Sequence, residues 1–179
     1  MKLLDVIAAD NTSNPEEFVR GVLVADWACY TAPEDQVDEA RLRRVIETFP
    51  EGFRLYLRDG QPVGYTGWYP LPRDLFDRLH DTPQNFTHRG QIMPLPSLSP
   101  QGDYLYLFNY SIIPALHKTP ESSALVQDFA RTVRATPHRG MAAVTVSPDG
   151  VRVAEKFGMT YRGDMTHDSV KEGVYAFRL

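Results

Sequence analysis

The 179-residue sequence holds a single cysteine, Cys29, which excludes an internal disulfide and any multi-cysteine metal site and fits a reducing compartment. No apolar run reaches the length of about 18 residues that a membrane-spanning helix takes, so no membrane partner is expected. Basic charge is not in excess. With 19 Lys and Arg against 23 Asp and Glu, the net charge is −4, which argues against a nucleic-acid surface. The five histidines lack metal-ligand spacing, and no metal is expected. Neither a Gly-x-Ser-x-Gly elbow nor a phosphate-binding Gly-Lys-Ser/Thr loop occurs. The opening MKLLDVIAAD is too short and too soon acidic for a secretory signal, which leaves the cytoplasm as the expected location.

What is present is an ordinary globular composition, 42% hydrophobic and 23% charged, and one domain is expected over residues 1–179. The most informative stretch runs from Asp103 to Arg134. It starts as a strand dense in Tyr, Leu, Phe and Ile and stops at Pro114, which cannot donate to a ladder. A short loop leads to a helix in which Thr119 is a good cap, Pro120 suits the first position and Glu121 charges the first turn. Leu125, Phe129 and Val133 mark its buried face. Strand, tight loop and helix N-terminus together make a candidate anion site.

Before this stretch, Leu3 to Ala9 reads as a strand, and Ser13 or Asn14 caps a first helix through Cys29. A second helix is predicted from Pro33-Glu34-Asp35-Gln36 to Phe49. Phe53 to Arg58 and Pro62 to Tyr69 flank Asp59-Gly60, the strongest hairpin signal in the chain. Residues 70–102 are proline-rich, with a helical pattern only from Arg73 to His80; a lid or cleft wall, a mobile excursion and a subunit contact are equal readings. After the central helix come a buried strand from Met141 to Val146 and a helix capped by Ser147 and ended by Gly158. Strands Met159–Asp164 and Gly173–Leu179 finish the chain, joined by a polar loop. The order predicts an α/β (α+β) fold.

That order resembles the GNAT (general N-acetyltransferase) superfamily. Eleven positions separate Pro114 from Leu125, the family's spacing from strand end to helix. Between them His117, Pro120 and Ser122 occupy positions where the family has Arg or Gln, Gly, and Gly or Ala. Ala154-Glu155-Lys156-Phe157-Gly158-Met159 resembles the family's Tyr-Glu-Lys-Leu-Gly-Phe segment, with Ala154 in place of the Tyr. The resemblance implies a central mixed, mostly antiparallel sheet flanked by helices, with residues 70–102 inserted before the central strand. It implies acyl transfer from acetyl-CoA to the amine of a small molecule or peptide, and it admits a homodimer. The alternative is a degenerate GNAT-fold module that binds or interacts without catalysis, favoured by the missing glycines and by Ala154.

In the resemblance, Ser111, Ile112 and Ile113 pair with pantetheine, free amides near Ile112 and Ile113 orient the thioester, and His117, Lys118, Thr119, Glu121, Ser122 and Ser123 hold the pyrophosphate. The thioester would lie between the strand ending at Ile113 and Met141–Val146, with the acceptor under residues 70–102. Asn109, Tyr110 and Ser111 are the candidates facing the chemistry. Tyr110 is expected as acid or water-linked base, or else as a packed sheet aromatic, and Tyr161 as a second phenol near the thiol. Tyr65 and Tyr69 are further candidates, as are Asp26, Glu51 and His88. Cys29, without a nearby histidine, reads as an inert thiol.

Overall fold

A computed structural model describes residues 3–92, 94 and 100–179. Its seven strands are β1 (Asp5–Ala8), β2 (Phe53–Arg58), β3 (Gln61–Leu71), β4 (Tyr104–Ile112), β5 (Gly140–Thr145), β6 (Thr160–His167) and β7 (Val170–Arg178). Among the described residues the α-helices are α1 (Pro15–Cys29), α2 (Glu39–Thr48), α3 (Arg73–Asp81), α4 (Pro120–Ala135) and α5 (Pro148–Lys156). The strands form one mixed sheet in the order β1-β2-β3-β4-β5-β7-β6. The β1–β2, β2–β3, β5–β7 and β6–β7 pairs are antiparallel, and β4–β5 is parallel. By internal contacts the chain divides into two compact units, Met1–Trp68 with Asn109–Ala135, and Tyr69–Phe108 with Thr136–Leu179.

In the first unit the local signals act as the sequence predicts. Asn14 accepts the Glu17 amide at 3.2 Å and starts α1 at a proline. Asp59 and Gly60, at φ 52° and 75°, form the left-handed turn that joins β2 to β3. A register shift between Tyr56 and Leu57 marks a bulge in that hairpin. The second helix differs from expectation. Pro33–Asp35 is one isolated 3-10 turn, and α2 begins only at Glu39, capped by Asp38, whose carboxylate accepts the Arg41 amide at 2.9 Å. The Val37 amide is instead held by the Asp26 carboxylate at 2.9 Å, a long-range bond that keeps 36–38 extended. A hydrophobic cluster of Leu4, Tyr56, Val63, Ile112, Leu116 and Leu125 ties β2, β3, the end of β4 and the start of α4 together. The Tyr56 hydroxyl donates to Asp128 at 2.7 Å and fixes α4 against β2.

In the second unit Ser147 caps α5 by accepting the Gly150 amide at 3.1 Å, and Gly158 follows it at φ 86°. The last two strands are longer than predicted, and the polar loop shrinks to Asp168-Ser169, both left-handed at φ 47° and 67°. Strand pairing from His167↔Val170 to Thr160↔Ala176 stabilises what local propensity leaves as loop. Residues 73–92 are tied to this unit. Phe76 stacks on Tyr104 at 4.0 Å, the Thr166 amide donates to the Phe86 carbonyl at 3.0 Å, and the Tyr69 hydroxyl donates to the Ile92 carbonyl at 3.0 Å. Residues 93 and 95–99 of the proline-rich segment lie outside the described residues.

Candidate functional site

β4 runs into a one-turn 3-10 helix, Pro114–Leu116, then His117, Lys118 and Thr119 before α4. Alternate residues of a strand direct their main-chain groups to opposite edges. The Ile113 amide donates to the Val63 carbonyl at 2.8 Å, and a Cβ on Gly64 would come within 2.4 Å of the Ser111 carbonyl oxygen. Ser111 and Ile113 therefore turn their main chain toward β3. This corrects the expectation of a free Ile113 amide and leaves Ile112 as the residue turned to the other edge. The Ile112 carbonyl accepts the His117 Nε2–H at 3.0 Å. The side chains of Ile112, Leu116 and Leu125 are buried, so this short path has a fixed frame.

Lys118 is exposed and left-handed at φ 61°, which reverses the chain into α4. Pro120 brings no amide. The Ser122 amide approaches the Thr119 hydroxyl oxygen at 3.5 Å, and the Ser123 amide donates to the Thr119 carbonyl at 3.2 Å. The Ser122 hydroxyl donates to that same carbonyl at 2.8 Å, and the Thr119 hydroxyl donates to the Leu116 carbonyl at 2.6 Å. Glu121 folds back on its own turn. Its backbone N–H first, and the Arg58 charge, hold its carboxyl below the usual range, and Arg58 Nη1 lies 3.7 Å away. The chain thus supplies its own acceptors to the amides that open α4.

The candidates around Tyr110 separate. Tyr110 packs its ring on Phe129 of α4 at 5.9 Å. Asn109 and Ser111, on the other face, join a polar cluster with α1 and β3. Asn109 Nδ2 donates to Ser111 Oγ at 2.7 Å and to the Tyr65 carbonyl at 2.9 Å, while Asn109 Oδ1 accepts the Tyr30 hydroxyl at 2.7 Å. The Tyr65 hydroxyl donates to Asp26 at 2.7 Å, and both side chains are buried. Burial first, then the neighbouring carboxylate, pushes the Tyr65 phenol well above its ordinary range. Burial pushes the Cys29 thiol up to about 11, which makes it a poor nucleophile. Tyr30 escaped the sequence reading, since a tyrosine at a helix end carries no signal of a partner on β4. Asp26 did carry one: it is the acidic residue on the buried face that also holds Val22, Leu23 and Ala25.

Tyr161 lies on β6 in the second unit, 54% exposed, with its hydroxyl donating to Asp164 at 2.8 Å. That bond raises its phenol above the ordinary range. Tyr69 is committed to the Ile92 carbonyl, and Glu51 is exposed in a 3-10 turn. His88 joins His167 and Asp168, whose ligand atoms lie within 4.8 Å of one another. In both histidines Nδ1 accepts a backbone amide, Gly90 at 2.9 Å and Arg89 at 3.1 Å. Their Nε2 atoms lie 3.8 and 3.5 Å from the Asp168 carboxylate.

The sheet order, with the parallel β4–β5 pair beside the antiparallel β5–β7 pair and α4 following β4, is that of the GNAT fold. The chain has this fold. It is similar over 99% of its length to the loading GNATL domain of CurA from Lyngbya majuscula, with 15% identity, 98% of that chain covered and a TM-score of 0.74. The GphF GNAT-like decarboxylase in complex with isobutyryl-CoA matches at 13% identity, 99% of both chains and a TM-score of 0.71. The NatC complex bound to Gag peptide and CoA matches at 10% identity, 99% of both chains and a TM-score of 0.66. No protein-family model and no curated protein matches the sequence. Among the described residues no helix is long and apolar enough to cross a membrane.

Proposed function

We propose that the chain is an acyl-CoA-dependent N-acyltransferase that moves an acetyl or similar small acyl group to the amine of a small molecule or peptide. The observation that carries this reading is the junction of β4 and α4. An outward main-chain edge at Ile112 leads through a tight turn to a helix N-terminus bordered by the small Ser122 and Ser123. The strand edge supports a pantetheine arm and the helix opening a diphosphate as the reading; two side chains, Glu121 and His117, stand against them. The donor supplies the activated thioester. Ile112 would receive the pantetheine arm as an added strand does, and Lys118 and Arg58 would offer positive charge to its phosphates. Similarity to proteins solved with isobutyryl-CoA, and with a peptide and CoA, supports the donor and acceptor classes.

Acetyl-CoA at a hundredfold excess over Kd is expected to stabilise the fold by about 2.7 kcal/mol. For a chain of this size that is a rise of several degrees in Tm. Ser122→Trp should abolish the rise. Wild type unmoved by millimolar ligand would remove the donor from the reading. Tyr110 is our candidate for the acid that protonates the departing thiolate. Tyr110→Phe should lose turnover on a panel of amines by about a hundredfold, within the range of acid–base contributions, while the thermal shift stays. Wild-type turnover would remove Tyr110 from the role. The missing family glycines, with Pro120 and Ser122 in their places, and Ala154 in place of the family's Tyr favour a non-catalytic binding module instead. Saturable binding without amide formation on any amine tested would favour that second reading.

A further inference from the structure

Resting on the donor reading above, we propose that Glu121 and His117 are two separable locks on the donor site, Glu121 against the diphosphate and His117 against the pantetheine arm. The first lock stands on the opening turn of α4. Pro120 has no N–H, the Ser122 and Ser123 amides face Thr119 oxygens at 3.5 and 3.2 Å, and the Glu121 carboxylate stands at this opening turn. Its side chain is only 13% exposed although the residue opens a surface helix. Arg58 Nη1, 3.7 Å away across from β2, offers it positive charge from outside the helix. A carboxylate and a diphosphate cannot crowd the same helix opening, because at contact distance their charges repel more strongly than one hydrogen bond returns. Diphosphate entry therefore requires Glu121 to swing out, and the Arg58 charge passes from the carboxylate to the phosphates.

The second lock lies one turn of chain earlier. The Ile112 carbonyl points away from β3, on the edge an extended arm would pair with, and the His117 Nε2–H caps it at 3.0 Å. An amide N–H from the arm would compete with His117 for that carbonyl, and the His117 ring stands on the edge the arm would follow. The two locks act on different parts of the donor. Glu121 bears on the phosphates and leaves the strand edge untouched; His117 bears on the strand edge and leaves the helix opening untouched.

The test is calorimetric titration of the whole chain with three probes, CoA, ADP and pantetheine, on wild type, Glu121→Gln and His117→Ala. Glutamine keeps the size of the side chain and removes its charge. We expect Glu121→Gln to bind CoA and ADP about tenfold tighter with pantetheine unchanged. We expect His117→Ala to bind CoA and pantetheine severalfold tighter with ADP unchanged. Circular dichroism melts of each variant control for folding. If CoA binds all three proteins with equal affinity, the locks are overturned and the donor reading stands. If Glu121→Gln or His117→Ala weakens CoA, that residue is a ligand for the donor and its lock is overturned. If no probe binds any of the proteins, the donor reading falls, and the locks fall with it.

Discussion

Asp26→Ala is expected to lower stability by about 3–4 kcal/mol, because the buried carboxylate accepts two bonds and one donor, the Tyr65 hydroxyl, has no water to turn to. Its Oδ1 takes the Tyr65 hydroxyl at 2.7 Å and its Oδ2 the Val37 amide at 2.9 Å, while Asp26 and Tyr65 are each 1% exposed. Hydrogen bonds to a charged acceptor contribute about 1.5–3 kcal/mol each, and truncation also leaves a cavity beside a tyrosine ring. In a chain of this length the loss is a fall of about 10 °C in Tm. The consequence reaches further than α1. Val37 holds the extended approach to α2, and the Gln36 side chain caps the Tyr30 carbonyl at 2.9 Å, so the connection between the helices should loosen as well. Hydrogen exchange across residues 30–38 reads that loosening directly. Asp26→Asn, which keeps an acceptor for one donor, should recover about half of the stability. A loss under about 1 kcal/mol for Asp26→Ala would show that the carboxylate does not hold this cluster together.

What was legible in the sequence follows from the range of the forces involved. Asn14, Ser147, Asp59-Gly60 and Gly158 act through atoms within four residues of themselves, so their residue types alone announce the helix starts, the hairpin and the helix stop. The start of α2 was not legible, because the bond that keeps Val37 out of the helix comes from Asp26, on another element. The extent of β6 and β7 was hidden for the same reason: polar residues such as Lys171 and Glu172 become strand only by pairing with Thr166 and Met165. At the candidate site, the spacing from Pro114 to Leu125 placed the loop and helix correctly, since chain length and a proline set it. The direction of Glu121 was out of reach, as it depends on Arg58 of β2, and so was the engagement of the Ile113 amide by Val63. Tyr110 and Asn109 look equivalent in a list of strand residues. Only the alternation of the folded strand sends one to Phe129 and the other to Tyr30.

Gly64→Ala is expected to damage stability and donor binding together, which distinguishes it from an ordinary strand substitution. A Cβ at this position would lie 2.4 Å from the Ser111 carbonyl oxygen, 3.0 Å from the Ile112 Cα and 3.0 Å from Leu125 Cδ1. Two of these three are backbone, so relief requires the end of β4 to move away from β3 rather than a side chain to rotate. Overpacking of this kind costs about 2–4 kcal/mol. The movement has a functional reading because the displaced residues are those proposed to receive the donor. The Ile113–Val63 bond at 2.8 Å would stretch, and the Ile112 edge would turn with it. CoA affinity should therefore fall by about tenfold or more, a coupling of at least ~1.4 kcal/mol between the strand contact and the site. Gly60→Ala supplies the contrast. Its Cβ meets nothing within 4 Å, but its φ of +75° makes any side chain strained. That variant should lose about 1 kcal/mol and bind CoA as the wild type does. Should Gly64→Ala match Gly60→Ala in both measurements, the close approach of β3 and β4 would not be what sets the edge at Ile112.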